Sequence, residues 1–288
     1  MDALDDPVEH TLLADDGVEL CYFELAPSDA TPLTPVVVTS AGFGGHDAAS
    51  VLASLTKDGF RVVGFSVRGM GEVDVGRAPL NVERVARDLH CVLSALVADA
   101  AEPPPRVALL GNSFGVNVIW RLVDLFGEEL VDRHVFIDQP ICVHRTFDGK
   151  PAIPHLFPVL RHVLPNLPGC CLPAPMAGCD FAALADLFEG SEADDNAARL
   201  AKVTRPCLVY GGSHSFVRGS IENARAVAAG VSGPARVLIY DDARGTHSPQ
   251  QPEKADGGEG ARQFCADVAA FLLAPEDVLR SEAGVQTL

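Results

Sequence analysis

The stretch Arg106-Val107-Ala108-Leu109-Leu110-Gly111-Asn112-Ser113-Phe114-Gly115-Val116-Asn117-Val118-Ile119-Trp120 constrains this chain more than any other. An apolar strand pattern ends in Gly-x-Ser-x-Gly and passes without a gap into a helical pattern, which predicts a serine on a tight strand-to-helix turn. Small residues two places before and after it let neighbouring segments approach, and such a turn aims the hydroxyl away from the backbone. The following helix brings the positive end of its dipole and the Phe114 backbone N–H close to any negative charge that forms there. Ser113 is thus the candidate nucleophile, and the Phe114 N–H a candidate oxyanion donor.

Around this turn, β-rich runs at residues 8–14, 18–25, 35–40, 61–67, 106–110, 134–138, 207–210 and 236–240 alternate with amphipathic helical stretches at 46–57, 81–97, 114–126 and 260–273. Alternation of this kind predicts the α/β class, with a mostly parallel eight-stranded sheet carrying helices on both faces. The first two runs, joined by Asp15-Asp16-Gly17, read as an antiparallel hairpin. Between 141 and 204 the texture changes to many prolines and short helical patches at 181–188 and 196–203, the pattern of an inserted helical cap. The expected organisation is a core formed by 1–140 and 205–275, a cap at 141–204, and a mobile tail at 276–288.

With 48% hydrophobic residues among 288, one large core with an insertion is the natural reading. A net charge of -17 and a pI of about 4.8 argue against nucleic acid or an anionic membrane as partner, since both need a basic face. The opening Met1-Asp2-Ala3-Leu4-Asp5-Asp6 lacks the basic start and apolar core of a secretory signal, and no later run is apolar enough to span a bilayer. A soluble, cytoplasmic protein without a membrane span is expected; oligomeric state is left open. Cys21, Cys91, Cys207 and Cys265 fall within apolar strand or helix patterns, where a reduced thiol packs as a small hydrophobe. Cys170, Cys171 and Cys179 match no zinc spacing and have no histidine between or just after them, so they read as a buried or incidental cluster and not a metal site; no cofactor is expected either.

A serine hydroxyl needs a positioned base, usually a histidine held by a carboxylate. His247 is the candidate. It lies in Arg244-Gly245-Thr246-His247-Ser248-Pro249, a glycine-containing loop between the last strand pattern and the final helix, where a serine–acid–histidine chain order places the base. His90 and His134 lie inside helix or strand patterns and His10, His144, His155 and His162 at the hairpin or in the cap, while His46, at the start of the 46–57 stretch, reads as a helix cap or a residue lining a pocket. A second oxyanion donor is expected at the Phe43 N–H, in the loop Ser40-Ala41-Gly42-Phe43-Gly44-Gly45 that follows Val36-Val37-Val38.

The turn at Ser113, this glycine-rich loop, Arg68-Gly69-Met70-Gly71 after the next strand pattern and the late Gly-Thr-His together resemble the α/β-hydrolase superfamily over residues 8–273. The resemblance implies a Ser-His-acid triad, no metal and a cap that shapes the pocket, without identifying the substrate; a small-molecule acyl substrate is the expected partner. Many members carry the acid after the seventh strand, but here Gly211-Gly212-Ser213-His214-Ser215-Phe216-Val217 offers no carboxylate. The other position used in the superfamily follows the sixth strand, where Asp138 ends Val135-Phe136-Ile137. Asp138 is therefore the candidate acid, with a structural aspartate at the cap's entry as the competing reading; Asp241 and Asp242 are held in reserve. The expected activity is hydrolysis of a carboxylic ester, thioester or related acyl compound through an acyl-serine. The competing classes are a non-catalytic ligand-binding protein of the same fold, motivated by the missing acid, and a lyase or acyltransferase using the same site.

Overall fold

A computed structural model describes residues 6–27, 35–40, 45–69, 73–76, 79–98, 106–142, 180, 182–183, 187, 196–250, 258–281 and 284–287. All eight expected strands are present: β1 (Val8–Leu13), β2 (Glu19–Leu25), β3 (Pro35–Ser40), β4 (Arg61–Phe65), β5 (Val107–Asn112), β6 (Val131–Ile137), β7 (Cys207–Gly212) and β8 (Ala235–Tyr240). A ninth, β9 (Gly284–Thr287), completes one sheet in the order β1-β2-β4-β3-β5-β6-β7-β8-β9. Only the β1/β2 and β2/β4 pairs are antiparallel. From β4 to β9 every pair is parallel, as crossover helices require.

The helices are α1 (Gly45–Ser50), α2 (Val82–Ala98), α3 (Phe114–Phe126), α4 (Asn196–Leu200), α5 (Ser220–Gly230), α6 (Glu259–Leu273) and α7 (Glu276–Ser281), with a 3₁₀ segment at Ala53–Asp58. They cover both faces of the sheet, and two glycines show how closely. A side chain at Gly64 would meet the Gly45 carbonyl of α1 at 1.9 Å, whereas one at Gly111 would meet Val116 N of α3 at 2.8 Å. Through β3, Gly64 shares its face with Leu110, so Gly111 points the opposite way. α6 joins α1 on the first face, where the Cys265 thiol lies 4.0 Å from the Val51 carbonyl. The central strand β5 is buried along its whole length, as a strand covered on both sides must be.

Three sequence expectations need correction. The single helix expected at 46–57 is split into α1 and the 3₁₀ segment, because Leu52 leaves helical geometry (φ -108, ψ 11) with its side chain fully buried. No helix was expected at 220–230, yet α5 forms there; its inward residues are the small Ser220, Asn223, Ala224 and Val227, which carry little helical hydrophobic signal. The tail expected to be mobile instead forms α7 and β9. β9 hydrogen-bonds in parallel to β8, whose outer edge is otherwise open.

Of the expected cap, most of 143–195 lies outside the described residues. The parts described dock on the core: Asp180 N donates to the Gly69 carbonyl at 2.8 Å, and Leu187 is fully buried. Asn196 of α4 donates to the Ile141 carbonyl at 2.8 Å and to Asn117 of α3 at 3.2 Å.

The Arg-Gly-x-Gly arginine has a structural task. Arg68, with no exposed side-chain area, donates from Nε and one amino group to both Asp88 oxygens at 2.6 and 2.7 Å, and to Asp16 at 2.7 and 2.8 Å. One guanidinium thereby ties the end of β4 to α2 and to the hairpin turn. The Arg68 hydrogen bonds hold the Asp16 carboxyl down at about 2.

Candidate active site

Four parallel strands end side by side at the site. At the end of β5, Ser113 has φ 53 and ψ -125, a backbone conformation that few residues other than glycine adopt. Its N–H donates to the Ile137 carbonyl of β6 at 2.8 Å and its carbonyl accepts from Val116 N at 2.9 Å, so the strained turn is held from both directions. The close approach of α3 to Gly111 is what the first glycine of the motif permits. Phe114 opens α3 and is buried. Phe43 lies outside the described residues.

Asp138 follows β6. It is the other non-glycine residue with positive φ among those described (φ 50), and its carboxylate is 1% exposed. His247 donates from Nδ1 to Asp138 Oδ2 at 2.5 Å. Of the positions considered for the acid, the structure thus brings the one after β6 to the histidine. The reserve Asp242 is instead committed to Arg244, whose Nε contacts its oxygens at 3.0 and 2.9 Å.

The histidine loop is anchored at several points. Tyr210 Oη donates to the Thr246 carbonyl at 2.9 Å, and His214 N donates to the Gly245 carbonyl at 2.8 Å. Burial, with Asp138 and Asp242 nearby, pushes the Tyr210 phenol up and keeps it a donor. Asn112, next to Ser113, donates from Nδ2 to the His247 carbonyl at 3.0 Å and accepts from Ser248 Oγ at 3.2 Å. The loop bearing His247 is therefore tied to the turn bearing Ser113. The Phe216 ring, 61% exposed, lies 4.1 Å from the imidazole centre to centre.

Two more residues of the site were not singled out in the sequence. Ser215 Oγ donates to Asp138 Oδ2, and Ser220 Oγ donates to Oδ1. The signal for Ser215 was the empty acid position after β7; for Ser220 there was none, because its helix was not expected.

Among the described residues no group of three or more His, Cys, Asp or Glu is arranged to hold a metal ion, and no helix is long and apolar enough to cross a membrane. Cys170, Cys171 and Cys179 lie outside the described residues.

Residues 36–278 match the model of the alpha/beta hydrolase family, and the chain belongs to that family. Among solved structures it is similar to a hydrolase from Pseudomonas aeruginosa PA01, with 22% identity, a TM-score of 0.69, and coverage of 92% of this chain and 98% of that one. A bromoperoxidase from Bacillus anthracis is 16% identical with a TM-score of 0.72, covering 92% of this chain and all of that one. An esterase from Exiguobacterium antarcticum is 17% identical with a TM-score of 0.69, covering 89% and 98%. No curated protein matches the sequence.

Proposed function

We propose that this protein is a serine hydrolase acting on a carboxylic ester, thioester or related small acyl substrate, with Ser113 as nucleophile, His247 as base and Asp138 as acid. Membership of the alpha/beta hydrolase family supports hydrolase chemistry. The observation that carries the finer reading is the 2.5 Å hydrogen bond from His247 Nδ1 to the buried Asp138 carboxylate. With Nδ1 protonated and held, Nε2 is left with the lone pair that a general base needs.

In this mechanism Ser113 Oγ attacks the acyl carbon while His247 Nε2 takes its proton. The oxyanion of the tetrahedral intermediate is stabilised by the N–H groups of Phe114 and Phe43, the former at the positive end of α3. Collapse breaks the bond to the leaving group, which receives the proton from His247. Water then attacks the acyl carbon while His247 Nε2 takes its proton, and collapse breaks the bond to Ser113 Oγ, which receives that proton from His247 as the acid leaves. No metal or cofactor takes part.

Ser113→Ala is the direct test. Turnover of a p-nitrophenyl ester should fall by on the order of 10⁴ to 10⁶, and covalent labelling by a fluorophosphonate should disappear. Turnover at the parental rate would overturn the mechanism, and a parent protein that takes no label would favour a ligand-binding role.

A further inference from the structure

The acid site of this chain is assembled from two strands. The β6 turn supplies the carboxylate, while the segment after β7, where the sequence lacks an acid, supplies two hydroxyls directed at it. Each hydroxyl has its acceptor side engaged by the backbone: Ser215 Oγ accepts from Val217 N at 2.9 Å, and Ser220 Oγ accepts from Gly212 N at 2.9 Å. Each has one hydrogen, and each directs it to Asp138. They are oriented donors rather than free rotors.

The two oxygens of Asp138 are used differently. Oδ1 receives Ser220, which sits on α5 and is buried, so this contact sets the rotation of the carboxylate plane. Oδ2 receives both Ser215 and His247. Three donors converge on one buried carboxylate, each spending a hydrogen on it, so the hydrogen of the Asp138–His247 contact is the one that Nδ1 donates. Ser215 also draws charge from the oxygen that faces the imidazole, so a less negative Oδ2 stabilises imidazolium less.

Resting on the proposed Ser113–His247–Asp138 mechanism, we infer that Ser215 and Ser220 are positioning residues for the acid, and that the Ser215 hydroxyl sets how much charge Asp138 Oδ2 presents to His247. The β7 position that carries the carboxylate in many relatives here tunes a carboxylate donated by the neighbouring strand.

The titratable and charged groups on the elements around this pair are Asp132, Arg133 and His134 of β6, Cys207 and Tyr210 of β7, His214 and Arg218 of the segment after it, Glu222 and Arg225 of α5, Arg236 and Tyr240 of β8, and Asp241, Asp242 and Arg244 after it. All are retained in a Ser215 variant, so their influence cancels in a comparison with the parent. The test is the rate of fluorophosphonate labelling of Ser113 against pH, which follows the fraction of His247 free to act as base.

Ser215→Ala should move the acid limb of that profile to higher pH by roughly 0.5, with the plateau rate lowered by no more than about tenfold. Ser215→Thr, which keeps the hydroxyl, should return the limb to the parental position. A limb that coincides in parent and Ser215→Ala overturns the inference while leaving the mechanism intact. A limb moved equally by Ala and Thr also overturns it, since the cause would then be shape and not the hydroxyl. A parent that takes no label removes the mechanism and this inference with it. Circular dichroism of each variant establishes that a folded protein is being compared.

Discussion

Asp88 and Asp138 are both buried carboxylates in one sheet protein, and they are satisfied in opposite ways. Asp88 faces permanent cations: both of its oxygens are held by Arg68, and Arg84 adds Nε at 3.1 Å and an amino group at 2.9 Å. Asp138 faces no guanidinium among its described contacts; its partners are two hydroxyls and one imidazole. A guanidinium cannot release its proton near neutral pH, so the Asp88 cluster can only lock β4, α2 and the hairpin together. An imidazole can, so the Asp138 cluster can pass a proton while staying in place. The lesson is that burial of a charge does not mark a site; a partner that can release its proton beside a nucleophile turn is also needed.

The largest expected effect separates the two. Asp138→Asn should lower kcat/KM for a p-nitrophenyl ester by on the order of 10³ to 10⁴, because the amide cannot hold the imidazole in the required tautomer. Its urea unfolding midpoint should move far less than that of Asp88→Asn. The latter removes one of the two carboxylates that neutralise the buried Arg68 and should cost roughly 3–5 kcal/mol in urea unfolding while leaving kcat of the folded protein within about threefold. Equal losses of activity in the two variants would break the comparison.

Glu128 sharpens it. Its carboxylate accepts from His134 Nε2 at 2.7 Å, a carboxylate–imidazole pair like that of the candidate site but with no serine turn beside it. Burial opposes ionisation there, yet the His134 and Thr204 hydrogen bonds hold the carboxyl at about 2 against an ordinary 4.5. A depressed carboxyl stabilises the fold above its unfolded value, and that contribution is lost as pH falls from about 4.5 toward about 2. Glu128→Gln should therefore remove roughly 2–3 kcal/mol of the stability difference between about pH 6 and about pH 2.5, read from urea midpoints across that range. Ester hydrolysis at neutral pH should be unaffected.

The smallest effect concerns the exposed side of His247. Phe216→Ala removes a ring that touches the imidazole but little else that is buried. Activity should fall by about three- to tenfold, in line with an aromatic contact worth on the order of 0.5–1.5 kcal/mol, and thermal stability should not change.

Much of this was legible in the residues. Six of the eight expected strands stood out because parallel strands covered on both faces read as apolar runs, the first two because of their hairpin turn, and the Ser113 turn because strand, glycine motif and helix adjoin in the chain. His247 followed from chain order. The acid was harder: Asp138, Asp241 and Asp242 all end strand patterns, and nothing local tells which one reaches a histidine more than a hundred residues away. Helix α5 was invisible because small residues face the sheet, and with it went Ser220.

The amino-acid order alone determined eight of the strands, the class and the conformation demanded at residue 113, since these follow from periodicity, glycine placement and the steric limits of the backbone over a few neighbouring residues. The fold alone decided which carboxylate meets His247, that Ser215 and Ser220 turn their hydroxyls toward it, and that 284–287 adds a strand at the edge. Hydrogen bonding is directional and short-ranged, so those partnerships depend on how strand ends distant in the chain are registered side by side, which no local pattern encodes.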